Sequence, residues 1–456
     1  MATATETVTL PYIQAPETSA SLDWADLVAL DLSKFDQPEG KHELAAELST
    51  AIEKIGFFYV INHGLSREDI DTQFALASSV LGLSDAEKTP YRAALEAGDY
   101  NGWKPAGTRE LIPGVRDNFE IYNIPKSIPE HAERPHPEVV KEHWATIEKF
   151  SRHVHDHIVK KLLVIFALAL GLEDEDWFVK KHRYDKSSGN HLRYMKYYAR
   201  SEEENEKLDG VWLKGHSDMG SLTLLFRQPV AALQVLTNEG TWKWVRPQTD
   251  ALTVNIADAL QFLTNGYLKS SIHRVVAPPR DQAHINRLGV IYMVRIEDDT
   301  ELVPIKESPV LQRRGLADGA VLGADGKPVT AGEWVRERII KNLGSTSSAP
   351  GDNAVNDLEV IKGVKMSLKN PSPTPATNMS GMPFTAGSEA YGGWPHRRSI
   401  IEFSSDFKDA LRADIHEAES SDRCDEATQT PASPPSSFKS SFLDWFFTSD
   451  PLKPRK

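Results

Sequence analysis

From about residue 190 to 295 the chain changes period. It becomes a succession of short runs rich in β-branched and aromatic residues: RYMKYY, SLTLLF, ALQVL, WKWV, LTVNI, HRVV and GVIYMVR, separated by Gly, Pro, Asn and Asp. Each run is too short for an ordinary helix, and most of the gaps are too short to hold crossover helices. Strands at such spacing pair antiparallel, and several of them close into a sandwich or barrel. The second half of the fold is therefore expected to be a β core inside a mixed α/β chain.

The front of the chain reads differently. HELAAELSTAIEKIG places Leu44, Leu48, Ile52 and Ile55 at helical spacings, Gly56 closes that helix, and FFYVINHG follows as a strand ending in a glycine turn. Further helical patterns run near 67–82 and 139–170, so this part is expected to be helix-rich with a strand or two. After the β-rich stretch, LADGAVLGADGKPVTAGEW reads as a turn excursion and WVRERIIKNL as a helix. From about residue 346 NPSPTPATNMSGMPF and TPASPPSSFKSS read as linker or disorder, with one helix expected in RRSIIEFSSDFKDALRADIHEAES. The aromatic cluster Phe442–Phe447 near the end reads as a frayed tail, or as an arm that docks on the chain itself or on a partner. The boundaries follow: a helix-rich region at 1–185, a β core with a short extension at 186–345, and a partly disordered tail at 346–456.

Composition narrows the partners. Lys plus Arg number 52 against 65 Asp plus Glu, a net charge of −13, the wrong sign for a generic nucleic-acid or anionic-membrane binder. Cys424 is the single cysteine, which excludes an intrachain disulfide and a thiolate zinc site. MATATETVTLPYIQAPETS has no basic region followed by an apolar run, and the longest apolar stretch, Leu162 to Leu172, is half a bilayer span. The expectation is a cytoplasmic protein with a small-molecule substrate, no nucleic acid and no membrane.

Chemistry gathers at His216-Ser217-Asp218, just before the run SLTLLF. In extended chain, residues two apart share a face, so an imidazole and a carboxylate converge on one point. His273 lies in another strand-like run. Two histidines and one carboxylate make the facial triad of a non-haem Fe(II) oxygenase, which leaves open coordination positions for a cosubstrate and O2. Alone, His-x-Asp is a weak signal and reads first as a hydrogen-bonded structural pair. Other polar residues have plainer readings. His153, His155, His157 and His191 read as exposed or hydrogen-bonded histidines, His63 as a fold-supporting one, Asn255 and Asp258 as turn stabilisers, and EEENEK as a solvated loop.

The surroundings add a resemblance. GHSDMGSLTLLF, then VNIADALQFLTNGYLKSSIHRVV, then NRLGVIYMVR, together with GFFYVINHG and GWKPAGTRE in the front half, resemble the Fe(II)/2-oxoglutarate-dependent dioxygenases of the isopenicillin N synthase-like group, in a fungal-type branch. The resemblance covers roughly residues 10–310 and implies a double-stranded β-helix (jelly-roll) core. It implies that His216, Asp218 and His273 ligate Fe(II), and that Arg287 grips the far carboxylate of 2-oxoglutarate with Tyr197 completing that pocket. The family pattern Arg-x-Ser is here Arg287-Leu288-Gly289, so one side-chain contact to the cosubstrate is missing. The loop PPRDQAHIN ahead of Arg287 is expected to be a long hairpin; Arg109, Phe119, Tyr122 and Tyr194 are candidates for the substrate side by position, with ordinary core packing the plainer reading of each aromatic. The implied reaction uses Fe(II), 2-oxoglutarate and O2 to hydroxylate or desaturate a small organic molecule in specialised metabolism, releasing succinate and CO2. The alternatives are an Fe(II)/O2 oxidase of the same fold working without 2-oxoglutarate, and a non-catalytic jelly-roll binding protein.

Overall fold

The computed structural model describes residues 12–318 and 326–340, and the backbone of two paired strands, Glu359–Ile361 and Val364–Met366. All of them belong to the first of two compact units, Met1–Ala376. The tip of the expected turn excursion, the Pro/Ser-rich runs, the expected helix around Ile400 and the Phe442–Phe447 cluster lie outside the described residues. The short strand pair falls in a stretch expected to lack regular structure.

Fourteen strands precede that pair: β1 Val28–Asp31, β2 Phe57–Ile61, β3 Gly102–Lys104, β4 Glu110–Ile112, β5 Val115–Arg116, β6 Phe119–Pro125, β7 His191–Tyr197, β8 Val211–His216, β9 Leu222–Leu225, β10 Leu233–Leu236, β11 Trp242–Trp244, β12 Ala251–Ile256, β13 His273–Val276 and β14 Arg287–Val294. Eight form one sheet in the order β1-β2-β12-β9-β14-β7-β6-β3, and four form a second in the order β11-β10-β13-β8. All pairings within these sheets are antiparallel except β1 with β2. This is the expected jelly-roll. It differs in that the helix-rich half contributes six strands rather than one or two, and four of them extend the large sheet.

Alternation along the strands assigns the two faces of the large sheet. Phe58, Tyr122, Tyr194, Leu224, Val254 and Tyr292 point to the helical side and join one core with Leu44, Leu48 and Ile52 of the helix Gly40–Lys54. Phe119, Ile121, Met195 and Tyr197 point inward and pack with Trp212 and Val275 of the small sheet. The helical pattern near 139–170 is a segmented helix in which Trp144–His153 and Lys160–Ala169 are joined through a π-helical turn, Val154–Val159. Within this run His155 is buried, while the rings of His153 and His157 lie 4.8 Å apart at a tilt of 43°. No helix among the described residues is long and apolar enough to cross a membrane; the apolar stretch starting at Leu162 is buried core. EEENEK is a short helix, Glu202–Lys207, rather than a loop, because Ser201 caps it. The segment between β13 and β14 is a crossover between sheets rather than a hairpin, pinned by Asp281 to Thr18 and Ser19.

Candidate active site

His216 ends β8 and His273 begins β13, and the two face each other directly across the small sheet. Their rings lie 4.3 Å apart. Nδ1 of His216 stands 2.9 Å from the carbonyl of Lys214, and Nδ1 of His273 stands 3.1 Å from the carbonyl of Ser271. A carbonyl only accepts, so each Nδ1 carries the proton and each Nε2 presents its lone pair inward. Asp218 sits just past β8, with its Oδ2 3.8 Å from Nε2 of His273. One ligand atom from each of the three side chains lies within 4.8 Å of the other two, and among the described residues no other such cluster of His, Cys, Asp and Glu occurs. Two imidazoles and one carboxylate converging on one point fit a ferrous ion.

The loop carrying Asp218 is fixed by backbone and by side chains. The amides of Asp258 and Ala259 donate to the carbonyls of Asp218 and Gly220 at 2.9 Å each, and the Ser221 amide donates to Val294 at 2.8 Å. Gly220 passes so close to β14 that a Cβ there would lie 2.2 Å from the Val294 carbonyl, so no side chain is tolerated. Asn255 Nδ2 and Thr223 Oγ1 donate to Asp218 Oδ2 at 3.0 and 2.8 Å. Burial pushes the Asp218 carboxyl up, but the two imidazoles and these hydrogen bonds outweigh it and hold the group well below the usual carboxylate range. Burial and the neighbouring His273 push His216 down to about 4, so its imidazole is neutral at physiological pH.

Asn255 is thus a carboxylate-orienting residue and not a turn stabiliser. Asp258 also departs from expectation: fully buried, it pairs with Arg338 of the helix Ala331–Ile339. Nothing local in the sequence links positions 258 and 338. Parity does link 223 and 255, which lie opposite each other on neighbouring strands once β9 and β12 are paired.

Arg287 opens β14 on the inner face, opposite Tyr197 of β7, with its guanidinium 5.7 Å from the tyrosine ring. It is buried, donates from Nε to the Val230 carbonyl at 3.4 Å and has no carboxylate partner among the described residues. Burial pushes it down to about 10, still charged at neutral pH. A cavity beside it is lined by Gln228, Val230, Ala232, Leu225 and Thr253. At Gly289 a Cβ would lie 3.2 Å from Gln228 Nε2, so the Gln228 amide occupies the space beside the missing side chain. Of the expected substrate-side residues, Phe119 lies inside, next to Tyr197 at 5.4 Å between rings. Tyr122 and Tyr194 do not. Both point to the helical side and are tied to His136 and Gln73, because Tyr194 is an odd number of residues from Tyr197 and so faces the other way. Arg109 lies in the small hairpin β4–β5, where its backbone amide donates to Asp117 at 3.1 Å.

Residues 28–146 match the family model described as non-haem dioxygenase in morphine synthesis N-terminal, and residues 189–295 match the 2OG-Fe(II) oxygenase superfamily. The UPF0676 protein of Schizosaccharomyces pombe is 29% identical over 335 residues, covering 72% of this chain and 95% of that protein. A 2-oxoglutarate-dependent dioxygenase of Gibberella zeae is 30% identical over 281 residues, covering 60% of this chain and 81% of that one. In fold, full-length Neurospora crassa T7H in complex with alpha-KG superposes with a TM-score of 0.59 at 21% identity, covering 69% of this chain and 95% of that one. With the jelly-roll and the His-Asp-His cluster already in view, these likenesses make the chain a member of the 2-oxoglutarate- and Fe(II)-dependent oxygenase family, an enzyme whose cofactors are ferrous iron, 2-oxoglutarate and O2.

Proposed function

We propose that His216, Asp218 and His273 hold the ferrous ion, that Arg287 and Tyr197 anchor the far carboxylate of 2-oxoglutarate, and that the substrate is a small organic molecule of specialised metabolism. On this reading residues 1–185 form the N-terminal region, 186–345 the oxygenase core with a short extension, and 346–456 an appendage. The observation that carries it is the cross-strand histidine pair with both Nε2 atoms turned toward Asp218. When bound, the iron would bring O2 together with 2-oxoglutarate: O2 is the oxidant, 2-oxoglutarate gives up one electron pair in passing to succinate and CO2, and the substrate gives up another in being hydroxylated or desaturated.

The chain's own residues position and exclude. Lys214 and Ser271 hold each Nδ1 through their carbonyls, which leaves Nε2 as the ring atom turned toward the ion. Asn255 and Thr223 both donate to Oδ2 of Asp218, the oxygen nearest His273 Nε2, and so fix the orientation of the carboxylate in the cluster. Replacing Asn255 with alanine is expected to lower Fe(II) affinity roughly 10–100-fold, measured by anaerobic titration. Arg287 is buried and offers a planar fork matched to a carboxylate, where the pairing is strong. Gln228 Nε2 donates to the Leu288 carbonyl, and its second N–H is placed to stand in for the hydroxyl that Gly289 lacks.

The test is turnover of 2-oxoglutarate to succinate by the purified chain. Arg287→Leu is expected to raise the KM for 2-oxoglutarate about 100-fold or more while Fe(II) affinity holds, since a buried charge pair is lost and the ligand set is untouched. An unchanged KM in this variant would remove Arg287 from the cosubstrate pocket. O2 consumption on a substrate without succinate would remove 2-oxoglutarate from the reaction.

A further inference from the structure

Arg193 shares the inner face of β7 with Met195 and Tyr197, two and four residues away. It is 8% exposed. Its Nε donates to Asn123 Oδ1 at 2.9 Å, its Nη2 lies 3.2 Å from His191 Nε2, and its guanidinium stands 4.7 Å from the Tyr100 ring. His191 Nδ1 lies 2.8 Å from the Gly189 carbonyl, so Nδ1 carries the proton and Nε2 accepts from Arg193. Burial, then Arg193 and Arg295, hold His191 well below its ordinary range, so it adds no charge.

Arg295 comes two residues after Met293, whose Sδ touches Thr223 Oγ1, the donor to Asp218. Its side chain runs between Gly189 and the metal-site loop. A Cβ on Gly189 would lie 3.1 Å from its Cδ, and one on Gly220 would lie 3.5 Å from its Cγ. The residue is 3% exposed, and its buried Nη1 has no hydrogen-bond partner. Neither Arg193 nor Arg295 forms an ion pair among the described residues. Asp298 and Asp218 act on Arg295 only through space, and Asp298 is engaged by Ser187 Oγ at 2.9 Å.

A guanidinium does not shed its proton, so burying two of them within reach of each other's charge and without counter-ions is costly unless an anion completes the site. The cofactors do not supply it. The ferrous ion, Asp218, dianionic 2-oxoglutarate and Arg287 balance to neutrality, which leaves Arg193 and Arg295 uncompensated. Next to them, Tyr100, Met219 and Val335 pack on the apolar cluster Ala93, Leu95 and Ile339.

Resting on the cofactor assignment above, we propose that Arg193 and Arg295 bind the carboxylate of an acidic substrate whose apolar body lies along Tyr100, Met219 and Val335. A carboxylate fits because it takes two parallel N–H bonds from one guanidinium fork.

The full chain, loaded anaerobically with Fe(II) and 2-oxoglutarate, is titrated with matched probes while the weak visible charge-transfer band is followed. The pairs are benzoate and benzamide, phenylacetate and phenylacetamide, cinnamate and cinnamamide, and hexanoate and hexanamide. At least one acid is expected to bind about tenfold or more tightly than its amide, and Arg193→Gln and Arg295→Gln are each expected to bring the pair toward parity. No preference for any acid in the unaltered protein overturns the proposal without relying on a variant that must fold. So does a full preference retained in both variants. If Arg193→Gln weakens 2-oxoglutarate itself by the same factor, Arg193 belongs to the cosubstrate pocket and the proposal falls. Absence of the band in the unaltered protein overturns the iron and cosubstrate assignments, and this proposal with them.

Discussion

Replacing Asp218 with alanine is expected to abolish 2-oxoglutarate turnover and to weaken Fe(II) binding by more than the roughly 100-fold that loss of an orienting neighbour costs. Asp218 is the carboxylate of the three-residue cluster, and without it the dication has no anionic ligand from the protein. The buried Asn255 amide and Thr223 hydroxyl lose their shared acceptor as well, at about 1–3 kcal/mol for each group left unpaired. His216→Ala is expected to have a similar effect on metal binding by a different route, because it removes a ligand without stranding a donor. The ranking Asp218→Ala and His216→Ala below Asn255→Ala, with all three variants folded by circular dichroism, separates ligation from orientation. Both ligand variants keeping the unaltered protein's iron affinity would sink the assignment of the metal site.

The three clustered residues are legible in the sequence because the information is short-range. His216 and Asp218 are two apart, and His273 sits at the head of a run whose composition marks it as a strand. The strands from β9 to β14 are legible for the same reason. What is not legible is long-range or depends on parity. β8, VWLKGH, ends in a lysine, a glycine and a histidine that do not mark a strand, and it is held as one by pairing with β13. β6, FEIYNIP, is strand-like in composition, but its place in the large sheet is set by pairing with β7, some seventy residues on, which no local pattern announces. Counting by twos from Tyr197 turns Arg193 inward and Tyr194 away, a distinction that residue type alone does not make. Arg295 and Arg338 have no such signal. Each acts on a group brought near only by the fold, and Arg338 lies beyond the stretch that matches the oxygenase model.

Arg338→Leu is expected to destabilise the protein by about 3–5 kcal/mol, read from denaturant unfolding. A capping box at Thr330 and Glu333 starts the helix Ala331–Ile339, and helical spacing puts Trp334 and Arg338 on one face. Trp334 packs edge-on to Phe262 at 4.9 Å between rings, which seats the helix against Asp258–Leu263. Arg338 then reaches the fully buried Asp258 with Nη1, and Nη2 lies 3.3 Å from both the carbonyl and the hydroxyl of Ser217. Removing the guanidinium strands a carboxylate whose Oδ1 already has no hydrogen-bond partner. Removing both charges, in Arg338→Leu with Asp258→Leu, is expected to restore most of the stability, because the penalty belongs to the uncompensated charge. Iron affinity is expected to part company with stability. Ser217 lies between His216 and Asp218, so the double variant regains its fold but not the contact that holds the metal loop, and stays weakened roughly 10–100-fold in Fe(II) binding. A double variant as unstable as the single one would show that Arg338 acts through packing and not through the ion pair. Full recovery of iron affinity in the double variant would show that the Ser217 contact is idle.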